Sequence, residues 1–194
     1  MEEMFWNCTS LASIDLSSFD TSEIDDMRGL FYNCYSLTSI NISHFKTSNV
    51  YSTADMFYNC SITSIDLSNF DTSKIETMYY MLFNCRLLKS IDLSNFETPS
   101  LTTLEYMFMG CSSLTSIDLS NFNTSKLEKC DSIFNNCNNL SYIDISSFPS
   151  LLDYTKEDFV NISNTGTIKV NKDISQKIKD IFENLNMTWS IIEN

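Results

Sequence analysis

Met56-Phe57-Tyr58-Asn59-Cys60, followed by Ser64-Ile65-Asp66-Leu67-Ser68-Asn69-Phe70-Asp71-Thr72-Ser73, is the stretch from which the organisation of this chain follows. Close copies recur along most of the sequence. The cysteines mark them: Cys8, Cys34, Cys60, Cys85, Cys111 and Cys137 lie at intervals of 26, 26, 25, 26 and 26 residues. A fixed period of that size means one supersecondary unit stacked on itself, a solenoid.

Each unit has two halves. In the first, Ile24-Met27-Leu30-Phe31-Cys34, Ile75-Met78-Met81-Leu82-Cys85 and Leu101-Leu104-Met107-Phe108-Cys111 place apolar residues three, six, seven and ten positions after the first. That spacing is one face of an α-helix of about ten to twelve residues. Thr21, Thr47, Thr72, Thr98 and Thr124 stand where an N-cap hydroxyl is expected, and Pro99 suits a first helical position. In the second half, Ile117 and Leu119 alternate with Ser116, Asp118 and Ser120. That alternation predicts a short half-buried strand. Strands one unit apart and joined by a helix must be parallel, with a right-handed crossover. The one short interval falls between Cys60 and Ile65, where it trims a loop and leaves both halves in phase.

Stacking turns single positions into ladders. Phe19, Phe45, Phe70, Phe96, Phe122 and Phe148 are expected to form one buried spine, and Phe5, Phe31, Phe57, Leu82, Phe108 and Phe134 a second. Residues 1–150 therefore read as six repeats. After Phe148 the pattern decays into an expected strand at Gly166–Asn171, an amphipathic helix through Ile174, Ile178, Ile181, Phe182 and Leu185, and a strand at Thr188–Ile192. A strand–helix–strand of different pattern over 151–194 is the cap that a solenoid's open core needs.

Composition narrows the function classes. Hydrophobic residues make up 43% of the 194, with three Gly and two Pro, which fits a packed core and excludes a disordered linker. No apolar run approaches the roughly 18 residues that span a bilayer, so no membrane insertion is expected. Met1-Glu2-Glu3 is acidic where a secretory signal would be basic, and Met4-Phe5-Trp6-Asn7-Cys8 already lies inside a repeat. An incompletely covered first unit is expected to self-associate end to end, or to pack on upstream repeats. The net charge is −13, all of it on residues 1–165. Such a surface repels nucleic acid and favours basic partners.

The sequence offers little chemistry. Stacked cysteines project side by side, which suits an S–S bond poorly, and no Cys-x-x-Cys pair is present for zinc. They read as small buried hydrophobes. His44 is the single histidine and sits in a turn, so nothing assembles a nucleophile and its base. No phosphate loop is present, and no catalytic residue, metal or cofactor is expected. One polar ladder stands out: Asp15, Asn41, Asp66, Asp92, Asp118 and Asp144 share one strand position and one face. Carboxylates about 5 Å apart repel by roughly 1 kcal/mol even in water. A basic protein segment would relieve that repulsion, so this row is the candidate ligand-binding face.

Phe108-Met109-Gly110-Cys111-Ser112-Ser113-Leu114-Thr115-Ser116-Ile117 resembles the Phe-x-x-Cys-x-x-Leu-x-x-Ile motif of BspA-like leucine-rich repeats. The fuller unit is similar to the 26-residue repeat of bacterial surface proteins. The resemblance covers about residues 4–150. It implies a leucine-rich-repeat-like α/β solenoid with a parallel sheet on one face and helices on the other. It further implies a location at the cell surface or outside the cell, and a non-enzymatic adhesion module that binds host or matrix proteins. The rival expectation is an architectural spacer or self-assembling stalk with no specific ligand.

Overall fold

The computed structural model describes residues 1–194. Its stacked arrangement is visible in the backbone hydrogen bonds, which join alternate residues of the Met-x-x-x-Phe-x-Asn-Cys segments to one 24 or 25 positions later. The segments expected to be helices are not helical. Met27, Leu30, Phe31 and Cys34 are buried, while Arg28, Tyr32 and Asn33 are partly exposed. Three overlapping reverse turns produce that pattern: Leu30 N–H donates to Met27 O, Tyr32 N–H to Gly29 O and Cys34 N–H to Phe31 O. The intervening N–H groups of Gly29, Phe31 and Asn33 donate to Ala54, Met56 and Tyr58 of the next repeat at 2.8–2.9 Å. In an α-helix every one of them would reach the carbonyl four residues back.

The string of turns needs a left-handed backbone twice per repeat, four residues apart. Gly29 and Asn33, Asp55 and Asn59, Tyr80 and Asn84, Tyr106 and Gly110, and Ser132 and Asn136 all have φ between 54° and 79°. Asn, Asp and Gly tolerate that region best, and they hold seven of these ten positions. The apolar spacing misleads because the turns send residues 27, 30, 31 and 34 inward, the spacing one helix face also gives. The threonines change role accordingly. Each opens a reverse turn, as when Ile75 N–H donates to Thr72 O, and each is buried. Their hydroxyls fasten neighbouring repeats: Thr47 Oγ1 donates to Asp71 O at 3.1 Å and accepts from Asp71 N–H at 2.7 Å.

Turns change the packing as well as the local path. Packed helices stand 8–10 Å apart, about twice the spacing of paired strands. Here the turn face is hydrogen-bonded repeat to repeat and carries a row of parallel bridges, Asp26–Ser52–Thr77–Thr103–Lys129. Both faces therefore rise by the same strand-like step.

On the opposite face lies a parallel sheet of order β1-β2-β3-β4: β1 (Ser116–Asp118), β2 (Tyr142–Ile145), β3 (Thr165–Val170) and β4 (Thr188–Glu193). Asp118 pairs with Asp144, and Asp144 with Lys169. Earlier repeats keep the in–out alternation with sparser bonding, for example Thr63 N–H to Thr38 O. The α-helix α1 (Ser175–Asn184) lies between β3 and β4 and buries Ile178, Ile181 and Phe182, as its periodicity predicts. The fold is thus α/β with few helices.

One hydrophobic cluster of 51 buried residues runs unbroken from Leu16 to Phe182. Phe45, Phe70, Phe96, Phe122 and Phe148 are buried in it, with Phe19 partly covered. In the second spine Phe5 stacks on Phe31 at 5.3 Å and Phe31 on Phe57 at 5.5 Å, and Leu82 interrupts the ring stack.

The turn geometry reverses the sign of a simple substitution. In a helix, Asn59→Ala would stabilise by a few tenths of a kcal/mol. At φ 59° it instead forces alanine into the left-handed region, at about 1–2 kcal/mol, and removes two amide hydrogen bonds. Urea denaturation of Asn59→Ala is expected to show a loss of about 2–3 kcal/mol in all.

Candidate functional site

In the row of Asp15, Asn41, Asp66, Asp92, Asp118 and Asp144 the last two pair in register, and each member has the same local task. Every side-chain Oδ1 accepts from the backbone N–H two residues on, at Ser17, Ser43, Ser68, Ser94, Ser120 and Ser146, at 2.9–3.1 Å. These bonds close the turn that ends the strand half. In three cases the serine hydroxyl donates as well, most closely at Asp66 and Asp144 (both 2.6 Å). Donation by the serines holds Asp15, Asp66 and Asp92 below the usual carboxylate range, although Asp66 repels Asp92 and works against this. These three stay ionised at neutral pH.

The row is not uniform. Asp15, Asp66, Asp92 and Asp118 are exposed, but Asp144 is 3% exposed. Its Oδ2 meets Lys169 Nζ at 3.4 Å, and the same ammonium lies over the Tyr142 ring. The four consecutive carboxylates after Asn41 (Asp66, Asp92, Asp118 and Asp144) therefore contract to an open stripe of the first three, closed at one end by a cation from β3. No ion pair meets those three. Asn41 builds the same turn without a charge, so turn formation does not account for the carboxylates.

Two further rows lie on the turn face. Asn33 Nδ2 donates to Asn7 Oδ1, Asn59 to Asn33 and Asn84 to Asn59, each at 2.8 Å. The signal for this amide ladder was the Asn that precedes five of the six period-marking cysteines, whose left-handed backbone the helical reading concealed. Beside it Trp6, Tyr32, Tyr58 and Phe83 stack nearly parallel at 3.6, 4.3 and 4.5 Å. That row was legible only in part, because Tyr, Phe and Trp look like ordinary core residues until the turns place them at the surface.

The remaining candidates have structural roles. His44 Nε2 lies 2.9 Å from Leu16 O and its ring meets Phe45 edge-on. The seven cysteines are free thiols, six buried and Cys8 exposed. Cys34, Cys60, Cys85, Cys111 and Cys137 donate Sγ–H to carbonyls of the preceding repeat at 3.0–3.2 Å. Burial pushes Cys34 up to about 11 and Cys85 and Cys137 to about 12. No group of three or more His, Cys, Asp or Glu is placed to hold a metal ion, and no helix is long and apolar enough to cross a membrane.

A family model described as Mycoplasma protein of unknown function, DUF285, matches residues 1–92 and again 54–176. The chain belongs to the DUF285 family. The two DUF285 matches start 53 residues apart, one more than two 26-residue periods, so they are one pattern laid twice on a periodic sequence. Comparison with curated proteins gives no match.

The thiols and one carboxylate yield measurements. In native protein at mild alkaline pH, only Cys8 is expected to be alkylated, with the other six reacting after unfolding; rapid modification of Cys60 or Cys111 would contradict their burial. Asp55 faces the aromatic rows without a hydrogen-bond donor, and burial raises it from 3.8 to about 6. A carboxyl with a raised folded pKa contributes stability that is full below about 4 and fades as pH rises through 6. Asp55→Asn, which keeps a residue tolerant of φ 57°, is expected to flatten that pH dependence. It should stabilise by about 1 kcal/mol at pH 7 once partial exposure is allowed for.

Proposed function

We propose that this chain is a right-handed, leucine-rich-repeat-like solenoid that serves as a non-enzymatic interaction or adhesion module at the cell surface. Its ligand face is the acidic stripe, and its partner a basic protein segment. The observation that carries the reading is the contrast between Asn41 and Asp66, Asp92 and Asp118. The neutral side chain closes the turn as well as the charged ones, yet three exposed carboxylates stand in register without a cation. That arrangement costs repulsion in the free protein and offers complementarity to a partner carrying lysine or arginine at strand spacing. The BspA-like motif supports the surface location. End-to-end association belongs to the same proposal, since Met4 and Trp6 are exposed on the first repeat and Leu11, Ile14 and Phe19 are only partly covered.

Asp→Asn substitution at 66, 92 and 118 keeps the turn bonds and removes only charge. We expect the triple variant to bind a lysine-rich peptide about tenfold more weakly by fluorescence anisotropy, with the difference shrinking at high salt. A control carrying Glu23→Gln, Glu76→Gln and Glu128→Gln loses the same net charge and should change binding less than about twofold. Equal weakening in both variants would reduce the stripe to general acidity.

A further inference from the structure

The amide ladder has one gap, and it lies beside the one arginine without a carboxylate partner. Position 110 is Gly where the other repeats carry Asn. Asn84 Oδ1 therefore lacks the amide donor that Asn59 and Asn33 each receive, and its remaining contact is Arg86 Nε at 3.4 Å. On the other side, Asn136 Nδ2 has turned to Asn135 Oδ1. Gly110 has φ 79°, and a Cβ there would run into the Asn84 amide oxygen. The gap thus presents an amide acceptor on one side and amide donors on the other.

Two adjoining depressions, of about 380 and 320 Å³, share Asn84 and Arg86. They flank Arg86 because its counterparts in the neighbouring repeats, Ser61 and Ser112, are small. Tyr35, 49% exposed, edges the first depression, and Phe83 the second. None of the lining residues is acidic, in a chain with 25 Asp and Glu. The two arginines also differ in their surroundings. Arg28 is held by Glu2 and Asp26, whereas Arg86 is exposed and forms no salt bridge.

We propose that this groove binds an acidic saccharide. Arg86 takes the carboxylate through its planar fork of donors. The hydroxyls both donate and accept, which matches the opposed amides at the Gly110 gap, and Phe83 and Tyr35 offer apolar surface to the ring C–H face. A simple anion would leave the second lone pair of Asn84 Oδ1 without a donor, and a purely apolar ligand would leave the guanidinium without an anion. The site is separate from the acidic stripe and does not depend on that reading.

The test is a titration of the intact chain, at physiological ionic strength, with an oligouronate, the matching neutral oligosaccharide and sodium acetate. Binding is followed by calorimetry and by the side-chain amide NMR signals of Asn84 and Asn136. We expect the oligouronate to bind and shift both amides, the neutral sugar to bind at least about tenfold more weakly, and acetate to produce no saturable shift. Arg86→Gln should erase the preference for the acidic sugar. Gly110→Asn supplies a residue that tolerates the left-handed backbone but pushes the Asn84 amide out of the gap, so it should abolish binding while circular dichroism shows the fold retained. No oligouronate binding, equal affinity for the neutral sugar, saturation by acetate alone, or undiminished binding by Gly110→Asn would each overturn the proposal.

Discussion

Alternate backbone N–H groups in the turn segments of this protein point in two directions, one into its own turn and the next along the stack. Phe31 N–H reaches Met56 O while Tyr32 N–H reaches Gly29 O, and the same division recurs at Phe5 and Trp6, Phe57 and Tyr58, Leu82 and Phe83, and Phe108 and Met109. A buried backbone donor without a partner is costly, so this division fixes both the turn conformation and the distance to the next repeat. The inward Phe, Met and Cys rows follow from it, because turns spaced two residues apart bring their apolar residues to one side. Cysteine fits there as a small side chain whose Sγ–H reaches the carbonyl of the repeat before.

The same step spacing governs the surface. Rows of identical residues come within hydrogen-bonding or stacking distance, so that amides join to amides, rings lie on rings and carboxylates confront carboxylates. The first two arrangements are favourable. The third is not, and the protein meets it with serine donors at each Asp and with Lys169 at Asp144. Breaks in a row then become informative. Asn41 separates turn building from charge, and Gly110 opens a gap in an otherwise continuous amide ladder.

Membership of the DUF285 family places the repeat among related sequences without fixing an activity. The physical argument for function therefore rests on features that the fold does not need. Exposed in-register carboxylates and an unpaired guanidinium in an acid-free groove are two such features. They lie in different rows, and charge-removing substitutions address each without touching the core.

The period, the parallel strands, the inward Ile and Leu positions and the closing strand–helix–strand were legible in the sequence. Each rests on local alternation or on simple recurrence, as at Ile117 and Leu119 or at Ile178, Ile181 and Phe182. The pairing of Asp118 with Asp144 was equally legible, since identical positions of neighbouring repeats align. The conformation of the Met-Phe-x-Asn-Cys segment was misread as a helix. Helix and turn string bury the same positions, so apolar spacing cannot separate them, and only the recurrent Asn, Asp and Gly hinted at a left-handed backbone. The tertiary structure decided it, because those N–H groups are satisfied by a carbonyl 24 or 25 residues away, and a helix would have kept them for itself. The pairing of Asp144 with Lys169 was hidden for a related reason: it joins a repeat to a segment that has left the period, where no register can be read in advance.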